Sequence, residues 1–451
     1  MSVCKYFLEK HRKVVEPRVQ ALDLSRGDMV IYMPLEDFDR EPAMTVFETT
    51  PENTKEINQV FFDKCYTMQI NFLFVALPDD PLESTKIRKW IKRQCEHVLG
   101  YGSQCFKPMN HDLSGIRMRC GGRSKLLEHE VCGLNDSSGA TMVLGADVTH
   151  FRDNCTPSIA AFVASIDSPG SAKYKALLSP QPAGVEIISN LYTPPSTDKE
   201  KAGGLMSEVV AAVLDRILVS YAGNVVSVAV SIMGSLVNKL EFKVLTFSGR
   251  DMLQAFQLEN NGKLPDRIIF YRDGVGDWQF HELLNEEGRS IKEACASMKD
   301  GYHPKLTFVV VQKRHHTRFF SGETDSGNLQ PGTVIDTVVT RDRLFDFFLC
   351  NGEVVKGNTR LQHYVVLYDE NGFTADQIQK ITHCLCHICC RSDTPVSLVS
   401  PAYYAHLAAA RGREYLESYI GENDLERPLN VRQARKLISL RPNIAQTMFY
   451  A

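Results

Sequence analysis

The chain has 451 residues, 43% of them apolar and 23% charged. That composition sets aside disordered, collagen-like and coiled-coil classes, and the length leaves room for about three domains and a large core. With 51 Lys and Arg against 54 Asp and Glu, the net charge is -3, so there is no global basic excess of the kind that marks many nucleic-acid binders, and only a local patch would serve.

The opening MSVCKYFLEKHRKVVEPRVQ is broken throughout by charge and lacks the apolar core of a secretory signal. No run approaches the roughly 18 apolar residues of a membrane span; the nearest, Val225 to Val237, is interrupted by Ser227, Ser231, Gly234 and Ser235. Thirteen cysteines, an odd number scattered along a large chain, fit reduced thiols in an intracellular protein.

In chain order, residues 1–26 read as a linker segment and 27–135 as a small α/β unit. Its strands are MVIYMP (29–34) and INFLFVALP (70–78), its helices Thr54 to Tyr66 and STKIRKWIKRQCEHVLG (84–100). The rest, 136–451, carries the apolar, β-branched runs TMVLGADV, PSIAAFVASID, RIIFYRDGV and KLTFVVVQ, which read as strands of a mixed, buried sheet. Helices are expected at FHELLNEEGRSIKEACASM and AYYAHLAAARGREYL. Residues from about 193 to 248, a loop-like PPSTDKEKAGG followed by a Val- and Ser-rich stretch of weak periodicity, read as an insertion. Further on, Cys384, Cys386, Cys389 and Cys390 lie close to His383 and His387. Zinc sites draw paired ligands from two separated segments. Here all ligands fall in one stretch, and Ile381, Leu385 and Ile388 recur at helical spacing, so core-facing cysteines on an amphipathic helix are expected.

Two strand runs end on an acid, Asp147 and Asp273. A carboxylate there is costly unless it faces a site or a partner. On neighbouring strands two such acids can share divalent cations, as in two-metal phosphodiester hydrolysis; taken singly, each acid reads more readily as a cap or turn residue. Basic residues cluster in KIRKWIKR (86–93), at Arg117, Arg119 and Arg123, and in QKRHHTR (312–318). A solvated face is the ordinary reading of such runs, but three clusters near strand ends also trace a path for phosphates.

The motifs GADVTH, YRDGVGDWQF, VVVQKRHHTRFF, PGTVIDTVVT and SPAYYAHLAAARGREYL stand in the order found in Argonaute proteins. The chain resembles the MID and PIWI domains of that family. This implies an α/β fold, with a Rossmann-like MID domain (27–135) that holds the guide strand's 5′ end and an RNase H-like PIWI domain (136–451). The family's amino-terminal and PAZ domains have no counterpart in these residues.

The resemblance places a metal-binding and catalytic tetrad on Asp147, Glu186, Asp273 and His406, around two Mg²⁺ (or Mn²⁺) ions. Glu186, in VEIISNL, keeps the family's pattern; Glu241 suits the spacing to Asp273 but lies in LEFKVL, which does not. We therefore assign Glu186. Guide 5′-phosphate contacts fall on Arg88, Lys92, Gln104, Arg119 and Ala451. Guide-backbone contacts fall on Lys313, Arg314, Arg360, Arg391, Ser397, Tyr403 and Arg411.

Three positions depart from the pattern: Arg88 replaces a base-stacking Tyr, Gly115 a pocket Lys, and Gly352 a His. Arg88 could stack on the first base as well as pair with phosphate. The expected partners are a small guide RNA, a complementary target RNA and effector proteins with Trp-containing motifs, engaged by a monomer in the cytoplasm or nucleus and away from membranes. The expected activity is guide-directed RNA cleavage, in which protein contacts read the backbone and base pairing reads sequence; a guide-binding scaffold that does not cut is the alternative.

Overall fold

The computed structural model describes residues 21–23, 32–34, 72–76, 81–99, 102–106, 134, 139–188, 191–192, 249–322, 327–352, 358–392, 395–423 and 429–451. The helix read at Thr54 to Tyr66, the insertion at 193–248, and Gly115, Arg119 and Glu241 lie outside them.

In the amino-terminal part, β1 (Ala21–Asp23) pairs antiparallel with β2 (Tyr32–Pro34), so this ribbon begins ahead of residue 27. β3 (Phe72–Ala76) and β4 (Gly102–Phe106) are parallel neighbours. Parallel pairing requires a crossover, supplied by α1 (Pro81–Lys92), which continues as a π-helical turn to Leu99. This strand–helix–strand unit is the local form of the Rossmann-like arrangement expected there.

The remainder is built on one eight-stranded mixed sheet. Its strands are β5 (Thr141–Thr149), β6 (Ser158–Ser165), β7 (Tyr174–Gln181), β8 (Arg267–Asp273), β9 (Lys305–Gln312), β10 (Val334–Ile335), β11 (Phe345–Leu349) and β12 (Gln362–Asp369), in the order β10-β11-β12-β9-β8-β5-β6-β7. β5, β8 and β9 are parallel; β6 and β12 flank them antiparallel, and antiparallel pairing continues outward to β7 on one side and to β11 and β10 on the other.

Side chains alternate across the sheet, as strand geometry dictates. Met142, Leu144, Ile268, Phe270, Leu306 and Phe308 enter one core, under α2 (Gly249–Glu259) and α3 (Arg289–Ala296), whose Leu253, Phe256, Ile291 and Ala294 complete it. Val143, Ile269, Tyr271, Val309 and Val311 enter a second core on the opposite face. That face is covered by α4 (Ala375–His387) and α5 (Ser400–Asn423). Asp147 and Asp273 share the parity of this second set.

Local sequence explains the helix positions. Thr374 and Gln377 form a reciprocal capping box that starts α4. Its Cys386, with Cys389 and Cys390 just beyond it, is buried among apolar side chains, as the helical spacing of Ile381 and Leu385 required. Pro401 starts α5 directly over β5: a Cβ on Gly145 would come within 2.2 Å of the Pro401 carbonyl oxygen. The bare glycine is what lets helix and strand approach so closely. The expected helix at 280–298 is instead a succession of short 3₁₀, α and π turns from Asp277, ending in α3. The chain closes with α6 (Val431–Leu437), α7 (Pro442–Ala445) and the buried residues Phe449, Tyr450 and Ala451. Among the described residues no helix is long and apolar enough to cross a membrane.

Candidate active site and guide-end pocket

The two acids meet because β5 and β8 are parallel and in register; Asp273 ends β8 as expected, whereas β5 runs on past Asp147 through Val148 to Thr149. Ala146 faces Arg272, so Asp147 and Asp273 follow as the next pair, on the same face. α5, seated over Gly145, brings His406 to this edge, and His406 Nδ1 lies 2.8 Å from Asp147 Oδ2. An ionised carboxylate only accepts, so Nδ1 carries the proton and Nε2 is left for another partner. Asp273 is buried; its Oδ2 accepts from Lys313 Nζ at 2.5 Å, while its buried Oδ1 has no hydrogen-bond partner. Burial first, and then the Asp147 carboxylate, hold Asp273 above the usual carboxylate range, against the pull of Lys313 and His406.

Glu186 reaches the same place from the loop after β7. Gly274, at φ +93°, has no side chain in the way: a Cβ there would sit 3.1 Å from Glu186 Oε1 and 3.4 Å from Asp147 Oδ1. Glu186 is held by three donors. His150 Nε2 donates to Oε2 at 2.7 Å and Arg272 Nη1 to Oε1 at 3.1 Å, while Arg272 Nη2 donates to the Glu186 carbonyl at 2.6 Å. Because the Glu186 carboxylate accepts from Nε2, His150 Nδ1 is left to accept from Ser158 Oγ, 2.7 Å away.

Behind this contact lies a buried ion pair. Arg272 Nε donates to both oxygens of Glu287 at 3.1 Å, both side chains are fully buried, and Glu287 Oε1 also accepts from the Ile188 amide at 2.9 Å. Sequence reading missed His150, Arg272 and Glu287. The lone Arg inside RIIFYRD was a usable signal, because a buried guanidinium needs carboxylate partners. Glu287 gave none, as it reads like any polar helix residue.

Carboxylates with one imidazole are the hard donors that Mg²⁺ or Mn²⁺ takes, and the unpaired Asp273 Oδ1 is an oxygen with capacity to ligate. Among the described residues no three His, Cys, Asp or Glu side chains converge as a ready ligand set; protein cations and histidines already bond most of the oxygens that an ion would share.

The predicted 5′-end pocket lies where α1 meets α5. Lys92 is buried and pairs with Glu96 at 3.1 Å. Glu96 also accepts from Arg411 Nη1 at 2.7 Å on both oxygens and from the Tyr415 hydroxyl at 2.5 Å. Arg411 Nη1 reaches the Phe449 carbonyl at 3.2 Å, two residues from buried Ala451. Burial and then Glu96 push the Tyr415 phenol far up.

Arg88 pairs with Glu414 and Lys89 with Glu417. Two of the five basic residues of KIRKWIKR are therefore engaged by carboxylates of α5. Glu96, one helical turn from Lys92, was the legible hint. Gln104 is on β4. Of the backbone-contact candidates, Lys313 is on Asp273, and Arg314, Arg360 and Ser397 are exposed. Arg391 and Tyr403 are half-buried, and Arg411 is buried in the pocket.

A profile of the Piwi domain matches residues 72–417. Among curated proteins, "Protein argonaute 14" of Oryza sativa subsp. japonica is 38% identical over 444 residues, covering 92% of this chain and 39% of its own length. "Protein argonaute 5" of Arabidopsis thaliana is 36% identical over 442 residues, with the same coverage of 92% and 39%. The chain thus spans about two-fifths of the length of the curated relatives it matches.

Of solved structures, Kluyveromyces polysporus Argonaute with a guide RNA superposes with a TM-score of 0.66 at 24% identity, over 90% of this chain and 42% of that one. The C-terminal lobe of a budding yeast Argonaute gives 0.66 and 24%, over 90% and 74%. These likenesses agree with an α/β fold of MID and RNase H-like PIWI type. Fold, profile and relatives converge: the chain is a member of the Argonaute family and carries its Piwi domain.

Proposed function

We propose that this chain binds a small guide RNA by its 5′ end and cleaves the complementary RNA strand by metal-assisted phosphodiester hydrolysis, as a monomer acting in the cytoplasm or nucleus. The observation that carries the reading is the meeting of Asp147 and Asp273 near the carboxyl ends of two adjacent central strands, with His406 on the first and Glu186 across Gly274.

Divalent cations, Mg²⁺ or Mn²⁺, held by Asp147, Glu186, Asp273 and His406 would supply an activated water and charge neutralisation at the phosphate. His406 orients the Asp147 carboxylate through Nδ1. Glu186 is held at the cleft by His150 and Arg272 rather than left to sample the loop's freedom. Lys313, on the open side of Asp273, and exposed Arg314 offer cationic contacts to a bound strand. Where α1 meets α5, Lys92 and Arg411, gathered on Glu96, would supply positive charge to a terminal phosphate, together with Arg88, Gln104, Arg119 and the chain end at Ala451. Arg360, Arg391, Ser397 and Tyr403 would follow the guide backbone between the two.

One observation favours a second reading, a guide-binding scaffold that recruits Trp-motif effectors without cutting: the Lys313 ammonium already neutralises Asp273. One experiment separates the two. The protein is loaded with a 5′-phosphorylated guide and given end-labelled complementary RNA with Mg²⁺, alongside Asp147→Ala, Glu186→Ala, Glu241→Ala and a chelator control. The cleavage reading expects product from the parent and from Glu241→Ala only. Guide retention without product from the parent would remove it in favour of the scaffold.

A further inference from the structure

Five residues past Asp273, on the turn that leaves β8, stands Trp278, with 83% of its surface exposed. Aromatic side chains dominate the energetics of interfaces, so an open indole on a rigid turn just past Asp273 calls for an occupant. The turn is rigid on several counts. Gly276 N donates to Gln279 Oε1 at 3.0 Å, and the indole edge lies over Gly276, whose Cβ would meet Trp278 Nε1 at 3.0 Å. Asp277 then clamps the turn to its neighbours: Gln312 Nε2 donates to one oxygen and Arg341 Nη2 to the other, each at 2.7 Å. Gln312 precedes Lys313, the residue on Asp273. The turn that carries Trp278 is thereby fixed relative to the acids.

The loop that contributes Arg341 adds apolar surface beside it. Val338 is 99% exposed at φ +68°, and Val339 N donates to the Thr337 carbonyl at 2.7 Å. This is a γ-turn in its strained form, and for a β-branched residue an uncommon one. The Arg341 guanidinium lies over the Phe280 ring at 5.8 Å, so a cation sits within the patch.

We infer that Trp278 is a stacking platform for a nucleobase of the RNA strand bound at the acidic site. The inference rests on the guide-directed reading above. A flat indole held beside cations suits a base joined to its phosphate, and stacking adds affinity without reading sequence, as a site that leaves sequence to base pairing requires.

The chain has two tryptophans, so Trp90→Phe leaves Trp278 as the one emitter. This protein is titrated, in chelator so that no strand is cut, with a 5′-phosphorylated guide RNA and then with its complementary strand. Retention of each strand is measured in parallel. The expected result is quenching of Trp278 emission as the complementary strand binds. In the otherwise unaltered chain, Trp278→Ala should weaken retention of that strand by about 5- to 100-fold, while Trp278→Phe stays within about 3-fold of the parent. Unchanged emission with both strands bound, or parental retention by Trp278→Ala, overturns the inference while leaving guide binding intact. Failure to retain the guide at all overturns the reading beneath it and the inference together. Emission that changes with protein concentration alone, without RNA, would make this face a contact between protein copies and likewise overturn it.

Discussion

Removing Glu287 tests whether the buried Arg272 is what holds the Glu186 loop at the cleft. In Glu287→Ala, Arg272 Nε loses both of its 3.1 Å carboxylate contacts, and the Ile188 amide loses its 2.9 Å acceptor. Arg272 has no exposed surface through which water could replace them. Breaking a buried pair by deleting one member costs about 3–5 kcal/mol, because the other charge stays buried. An orphaned buried amide adds about 1–3 kcal/mol; the two share Glu287, so they do not simply add, and about 3–5 kcal/mol is the expected total. Glu186 Oε1 remains as a partner for Arg272 Nη1, which keeps the loss from being larger. Denaturant unfolding followed by circular dichroism gives the stability, and the guided cleavage assay gives the rate. Glu287→Gln, which keeps an acceptor for Ile188, is expected to lose less stability than alanine. A Glu287→Ala protein within about 0.5 kcal/mol of the parent, a change of the size seen at ordinary surface sites, would refute the reasoning.

Three further outcomes follow from other contacts. Gly145→Ala must push α5 off β5, since its Cβ would meet the Pro401 carbonyl at 2.2 Å; a loss of about 1–3 kcal/mol or more is expected by chemical denaturation, with cleavage reduced because His406 moves with the helix. Hydrogen bonds from Lys292, Tyr368 and the Leu306 amide outweigh partial burial and hold Glu370 down at about 2, against its ordinary 4.5. Its folded-state value is depressed, so its contribution is present above pH 4.5 and lost as the pH falls towards 2. Glu370→Gln should therefore unfold more easily than the parent at pH 7, by about 0.2–1 kcal/mol for so exposed a pair, and the gap should close in acid. Finally, the Gly249 amide donates to the Leu191 carbonyl at 2.6 Å, so the two flanks of 193–248 already touch. Replacing that segment with a short Gly/Ser linker is expected to shift the thermal midpoint by only a few degrees, about what a change of 1 kcal/mol produces, and a collapse of the transition would refute this.

The strands legible in the sequence were those whose chemistry is uniform. TMVLGADV, SIAAFVAS, RIIFYRD and KLTFVVVQ are β-branched or apolar almost throughout, because β5, β6, β8 and β9 are covered on both faces. β7 was missed: its YKALLSPQ places Lys, Ser and Pro on an edge strand, where pattern is weakest. The helix expected at 280–298 was legible in composition but not in its breaks, where Gly288 and the buried Glu287 interrupt regular winding.

At the site, Asp147 and Asp273 announced themselves by ending apolar runs, and parallel register then paired them. The partners that settle the geometry, Arg272 with Glu287 and Glu96 with Arg411, are long-range or fully buried. A single sequence gives no periodic signal for contacts of that kind. The basic helix at 86–93 shows the converse: read as a solvated or phosphate-facing surface, it spends Arg88 and Lys89 on Glu414 and Glu417.

The helix α5 is one unbroken element of 24 residues, and it serves two neighbourhoods at once. Its first turns press on Gly145 and present His406. Its later turns answer the charges of α1 through Arg411, Glu414 and Glu417. The boundary expected between residues 135 and 136 is therefore bridged by side-chain contacts. Cut away from α5, Glu96 would keep Lys92 but lose Arg411 and Tyr415, and Arg88 and Lys89 would lose the carboxylates they meet here. Modularity is limited at this helix: a substitution that removes one of these shared contacts is expected to lower the stability of both parts.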